Sequence, residues 1–235
     1  MTSINKTARL AGLFWILTAT TGGYTLVYVR SKLFVSGNAV ATIGNIRAFE
    51  GLFRASIASS ILNAVFTLLF GLMIFHVFRE VKKATATAFL ASLIAAATIA
   101  GLNAINNFAA LLILGDADYL KAFNTDQLAA LSMIFLRINN YVLGVAEIFT
   151  AFYLFSLGLL IFRTSYVPKF LGILLMIGAC AFPVNTLLKI LFPHFFPAMT
   201  QVTMMLNALG APLTMLWLTF MGVKEPQPLR EAARA

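Results

Sequence analysis

LAALSMIFLRINNYVLGVAEIFTAFYLFSLGLLIF, residues Leu128 to Phe162, decides the fold class. An apolar run of this length crosses a membrane as a helix, since about 20 such residues span the hydrocarbon. This run is longer than that, so it tilts or projects an end beyond the bilayer. It also carries Arg137, Asn139, Asn140, Tyr141 and, deeper in the run, Glu147. A carboxylate inside a spanning helix is costly, so it faces protein or water with a partner, which makes Glu147 a candidate functional residue.

The rest of the chain repeats the pattern. Of its 235 residues 60% are hydrophobic and only 11% charged, with a mean hydropathy of +0.90, far from the composition of a soluble domain. Six spans follow from the apolar runs, approximately Arg9 to Val29, Ala55 to Phe78, Ala84 to Leu114, Leu131 to Phe162, Pro168 to Phe192 and Ala198 to Met221. The predicted fold is an all-α polytopic bundle forming one domain over residues 1–222, with a mobile cytoplasmic tail over 223–235. The first run exceeds the length of a cleaved signal's apolar core and is read as a retained span.

Two connections carry structure of their own. Between the first and second spans, Ser36-Gly37-Asn38 reads as a turn and cap. Val40, Ile43, Ile46 and Phe49 then recur at helical spacing, as in a short amphipathic helix on the membrane surface. Glu50 and Arg54, four apart, form an ion pair within one helix. Between the third and fourth spans, Gly115 to Ala130 is acidic but lacks calcium-loop spacing. There Asn124 and Thr125 read as caps for the following helix.

The net charge of +9 sits in small groups at the ends of apolar runs. It therefore sets topology and forms no stripe for nucleic acid. With both termini in the cytoplasm, Lys6, Arg9, Arg79, Lys82, Lys83, Arg163, Lys169, Lys224, Arg230 and Arg234 lie inside. Arg30, Lys32, Arg47, Arg54 and Lys121 lie outside. Ten against five favours this orientation.

Counting about 1.5 Å per residue from the cytoplasmic flanks puts Glu147, Asn63, Asn185 and Asn207 near one level, with Tyr24 beside them. Asn103 and Asn107 lie at or just above it, and Lys189 one turn beyond Asn185, within reach of Glu147. These eight residues are the candidate ligand-binding set of an outward polar cavity, closed inward by an apolar plug. The alternative for the asparagines is structural: amides bonded across helices, each worth about 0.6 kcal/mol.

The chemistry implied is non-catalytic: binding of a small apolar or amphipathic molecule or a membrane lipid, or service as an accessory or sensing subunit, alone or as an oligomer. No cofactor, metal or catalytic residue is assigned. The two histidines, His76 and His194, are far apart, and the single Cys180 reads as a small core residue. A lipid-modifying or hydrolytic enzyme would need a partner for Glu147, with Ser59, Ser60 and Tyr24 as the options. A proton-coupled transporter would need a route through the plug. Gly22 and Gly23, Gly144 and Gly158, and Gly172 and Gly178 mark close helix contacts. Pro183 and Pro212 should kink the last two spans, freeing backbone carbonyls near the polar level.

Glu50-Gly51-Leu52-Phe53-Arg54, Gly115-Asp116-Ala117-Asp118-Tyr119-Leu120, Asp126-Gln127-Leu128 and Tyr166-Val167-Pro168-Lys169-Phe170-Leu171-Gly172, in this order, resemble the bacterial membrane family catalogued as domain of unknown function 4386. The resemblance runs from about Lys6 to Met221 and implies a six-span inner-membrane protein. It further implies that an acid or histidine often stands where this chain has Ser60, Asn139 and Asn185, and an acid where it has Arg137. That departure argues against a catalytic acid chemistry shared with the family.

Overall fold

In the computed structural model, residues 3–192 and 209–224 are described. They are helical, without strands among the described residues. The helices are α1 (Ser3–Leu33), α3 (Glu50–Phe78), α4 (Lys83–Ile113), α5 (Thr125–Phe162), α6 (Lys169–Leu191) and α7 (Leu209–Phe220), with the short α2 (Ala39–Ala48) between α1 and α3. Five of them, α1, α3, α4, α5 and α6, are long and apolar enough to cross a membrane. Large apolar side chains such as Leu62, Leu72, Leu102, Phe152 and Phe170 stand exposed on them. Apolar surface left uncovered on that scale belongs against lipid, and the chain is a multi-pass membrane protein. The sixth predicted span begins in residues outside the described ones, and α7 is its described part. The C-terminal tail beyond residue 224 also lies outside them.

The helix ends follow from local chemistry. Gly37 takes a positive φ of 74°, a conformation that costs glycine little. Asn38 then caps α2, its Oδ1 accepting from Ala41 N at 2.9 Å. Glu50 and Arg54 pair at 2.6 Å, which extends α3 a turn further than hydropathy alone places it. At the start of α5, Asn124 and Gln127 form a reciprocal capping box, Gln127 N to Asn124 Oδ1 at 2.9 Å and Asn124 N to Gln127 Oε1 at 3.0 Å. Each bond satisfies an amide that the first helical turn leaves open.

The chain groups into two compact units, each with its own core. The first comprises residues 1–16, 66–97 and 145–235. Trp15, Phe70, Ile74, Phe78, Phe89, Leu157 and Leu175 fill its centre, with Trp15 and Phe70 rings 4.7 Å apart. Its helices approach closely through small residues. A Cβ on Gly158 would stand 2.7 Å from the Gly172 carbonyl oxygen, and one on Gly172 would stand 2.7 Å from that of Gly158. Thus α5 and α6 meet glycine to glycine, the close helix approach expected of these residues. The end of α7 is fastened by Gly222, at φ 69°, and by Val223 N donating to Asn5 Oδ1 at 3.2 Å.

The second unit comprises residues 17–65 and 98–144. Its core joins Leu33, Ile43, Ile46, Phe53, Ile57, Leu111 and Leu136. Only part of the predicted apolar stripe of α2 faces this core. Ile43 and Ile46 are buried, whereas Val40 and Phe49 are exposed.

Candidate functional site

Two departures from regular helix shape a polar cleft in the second unit. In α1, residues Tyr24–Val29 form a π-helical stretch, a widened turn found often at functional sites. It brings Thr25, Leu26, Val29 and Arg30 to the cleft wall, and Thr25 Oγ1 donates to the Ser56 carbonyl at 3.3 Å. In α4 the helix breaks at Asn103, between Lys83–Leu102 and Ala104–Ile113.

The break is held by an amide clasp. Asn103 Nδ2 donates to the Asn139 carbonyl at 2.9 Å, and Asn139 Nδ2 donates to that of Asn103 at 3.3 Å. Asn106 Nδ2 completes it on Asn103 Oδ1 at 2.8 Å. Backbone carbonyls freed by an irregular turn need such partners away from water. Asn63 does comparable work between α3 and α1, donating to the Thr18 carbonyl at 2.7 Å and to Thr21 Oγ1 at 3.2 Å. Gly22 leaves room for it, since a Cβ there would lie 3.1 Å from Asn63 Nδ2.

The cleft has two adjoining lobes. The first, of about 70 Å³, is lined by Gly22, Ser60, Asn63, Asn103, Asn107 and Asn139 among others. The second, of about 40 Å³, adds Arg30, Phe34, Phe53, Ser56 and Asn140. Thr25, Leu26, Asn107 and Asn139 belong to both. Asn107, one helical turn beyond Asn103, is only 9% exposed. Its side-chain amide has no hydrogen-bond partner among the described residues. At the exposed end of the second lobe, Arg30 donates from a terminal guanidinium nitrogen to Asn140 Oδ1 at 2.7 Å. The guanidinium carbon lies 5.5 Å from the Phe34 ring centre. Among the described residues Arg30 forms no ion pair.

Of the eight residues singled out in the sequence, Asn63, Asn103 and Asn107 therefore line one cleft. Tyr24 belongs to the same unit but stacks on Tyr28, ring centres 5.7 Å apart, and lines neither lobe. Glu147, Asn185 and Lys189 belong to the first unit. There Glu147 Oε2 accepts from Thr186 Oγ1 at 3.1 Å, and Lys189 is close enough to act on it electrostatically. Asn207 lies outside the described residues. Cys180 is a correction: it is exposed and lines an apolar groove of about 240 Å³ with Phe152, Phe155 and Pro183. An apolar neighbourhood in a spanning helix marks a lipid-facing surface as readily as a core.

Sequence reading missed Thr25, Arg30, Asn140 and Thr186 as members of these sites. Gly22-Gly23 ahead of the π-helical stretch and the Asn139-Asn140 pair were the available signals. Arg30 passed as an interfacial flank, and for Thr186 the sequence offers none.

No curated protein matches the chain, and no solved structure does. The family model described as a domain of unknown function, DUF4386, matches residues 10–222, so the chain belongs to that family.

Proposed function

We propose that this is a six-span protein of the bacterial inner membrane, with both termini cytoplasmic, and that it binds a small molecule or lipid without transforming it. The binding place is the polar cleft of the second unit. One observation carries the reading: the Asn107 amide lines both lobes and has no hydrogen-bond partner among the described residues, while the neighbouring amides of Asn63, Asn103 and Asn139 are engaged. The amide is open to the cleft, where water or a ligand takes its hydrogen bonds. The cleft hydroxyls support binding over catalysis. Ser60 Oγ donates to the Ser56 carbonyl at 2.9 Å, and Ser56 Oγ to the Phe53 carbonyl at 2.7 Å. Among the described residues neither contacts a base that would activate it.

The test is thermal unfolding of protein purified in mild detergent, with and without a bacterial polar lipid extract. The extract is expected to raise the Tm of the wild type by several degrees. Asn107→Leu, which keeps the branched skeleton and removes the polar atoms, should be within about 1 kcal/mol of wild type in detergent alone, yet gain little from the extract. Equal stabilisation of both proteins rules the cleft out. Product formation from the extract, or solute flux in proteoliposomes, would replace binding with catalysis or transport.

A further inference from the structure

Resting on that reading of the cleft, the question is which chemistry its second lobe selects. Every side chain lining the two lobes is neutral except Arg30, and no carboxylate lines either. Among the described residues of the unit, Glu50 pairs with Arg54 and Asp118 with Lys121, each at 2.6 Å, and no acid pairs with Arg30. Arg30 is a cation at the mouth of a polar cleft, without a counter-ion among the described residues.

It is also oriented. The Asn140 carbonyl oxygen takes one guanidinium N–H and the Phe34 ring lies against the cation, which leaves other donors of the planar fork uncommitted. Such a fork matches the paired oxygens of a phosphate or carboxylate. Asn107, on the wall of the same lobe, offers an amide to a hydroxyl or carbonyl beside the anion. Two lobes of about 70 and 40 Å³ hold a headgroup and not a whole lipid. Leu26 and Val27, 49% and 69% exposed, continue from the cleft as apolar surface on which a tail can lie.

We propose that the cleft receives the oxyanion of an amphiphile, a phosphodiester headgroup bearing a hydroxyl group. Arg30 is the anion receptor and Asn107 the partner of the neighbouring polar group. The apolar tail stays outside, along Leu26 and Val27.

Native mass spectrometry of the full chain in detergent tests this with three probes: phosphatidylglycerol, phosphatidylcholine and soluble glycerol phosphate. Wild type is expected to bind phosphatidylglycerol at least tenfold more tightly than phosphatidylcholine, with no displacement by millimolar glycerol phosphate. Arg30→Gln should lose that preference, and Arg30→Lys should keep part of it. Arg137→Gln, which removes an exposed cation of the same unit away from the cleft, should stay within twofold of wild type. Equal losses in Arg30→Gln and Arg137→Gln would overturn the proposal, because the attraction would then be general surface charge. Displacement by glycerol phosphate would overturn the amphiphile, leaving a soluble anion as ligand. If both lipids bind equally but Asn107→Leu abolishes them, the cleft still binds and the anion assignment alone falls. If Asn107→Leu changes nothing, the cleft reading itself falls. Monodispersity and Tm in detergent establish that each variant is folded.

Discussion

Asparagine is the residue on which the second unit turns, and its copies do different work. Asn63 holds two groups of α1 through its amide, Asn103 and Asn139 clasp a broken helix, and Asn107 holds nothing among the described residues. Asn63→Leu is therefore expected to lower stability, by about 1 kcal/mol for the hydrogen bonds lost and more where the larger side chain crowds Gly22. Asn107→Leu does not carry that cost. Reversible unfolding in detergent, comparing the two variants, separates an amide that braces from one that waits. A common loss in both would make Asn107 structural after all. The sequence showed that these positions are polar and costly. It did not show which amides were engaged, because that depends on which carbonyls of the neighbouring helices lie within reach. For Glu147 the neighbour Lys189 was legible from helical spacing and the short connection between α5 and α6. The hydroxyl of Thr186 was not.

Elements were legible where local chemistry sets them and obscure where packing does. The caps at Asn38 and Asn124 use side chains that satisfy their own helix starts, so a few residues of sequence suffice. The π-helical stretch at Tyr24–Val29 and the break at Asn103 leave no composition signal. An apolar run reads alike whether its turns are regular or widened. The glycines fall between these cases: small residues announced close helix contacts, as Gly158 and Gly172 make, but not which glycine faces which across helices. That contact predicts a sharp asymmetry. Gly158→Val and Gly172→Val drive a side chain against a backbone carbonyl and should each cost about 1–3 kcal/mol. Gly23→Ala meets nothing within 4 Å and should be neutral or stabilising by up to about 1 kcal/mol. The midpoints of denaturation for the three variants check this. A neutral Gly172→Val would mean that α5 and α6 do not meet at this point.

For the whole molecule, membrane residence follows from composition alone, while the way the chain partitions its polar groups does not. Hydropathy counts apolar residues per run and is indifferent to which of them share a core, so the two core clusters leave no mark on it. Orientation depends on a different signal, the distribution of cations. The proposed topology puts the Arg79–Lys83 and Arg163–Lys169 connections in the cytoplasm and the α1–α3 and α4–α5 connections outside. Alkaline phosphatase, active only when exported, should therefore be active when fused after Gly37 or Lys121 and silent after Lys82 or Ser165. A cytoplasm-only fluorescent reporter should give the opposite pattern. Because Arg30 lies at the outer end of its span in this arrangement, the same experiment fixes which leaflet can supply the cleft. Reversed reporter activities would move the mouth of the cleft to the cytoplasmic face, and the anionic lipid sought for it would then be the one available in the inner leaflet.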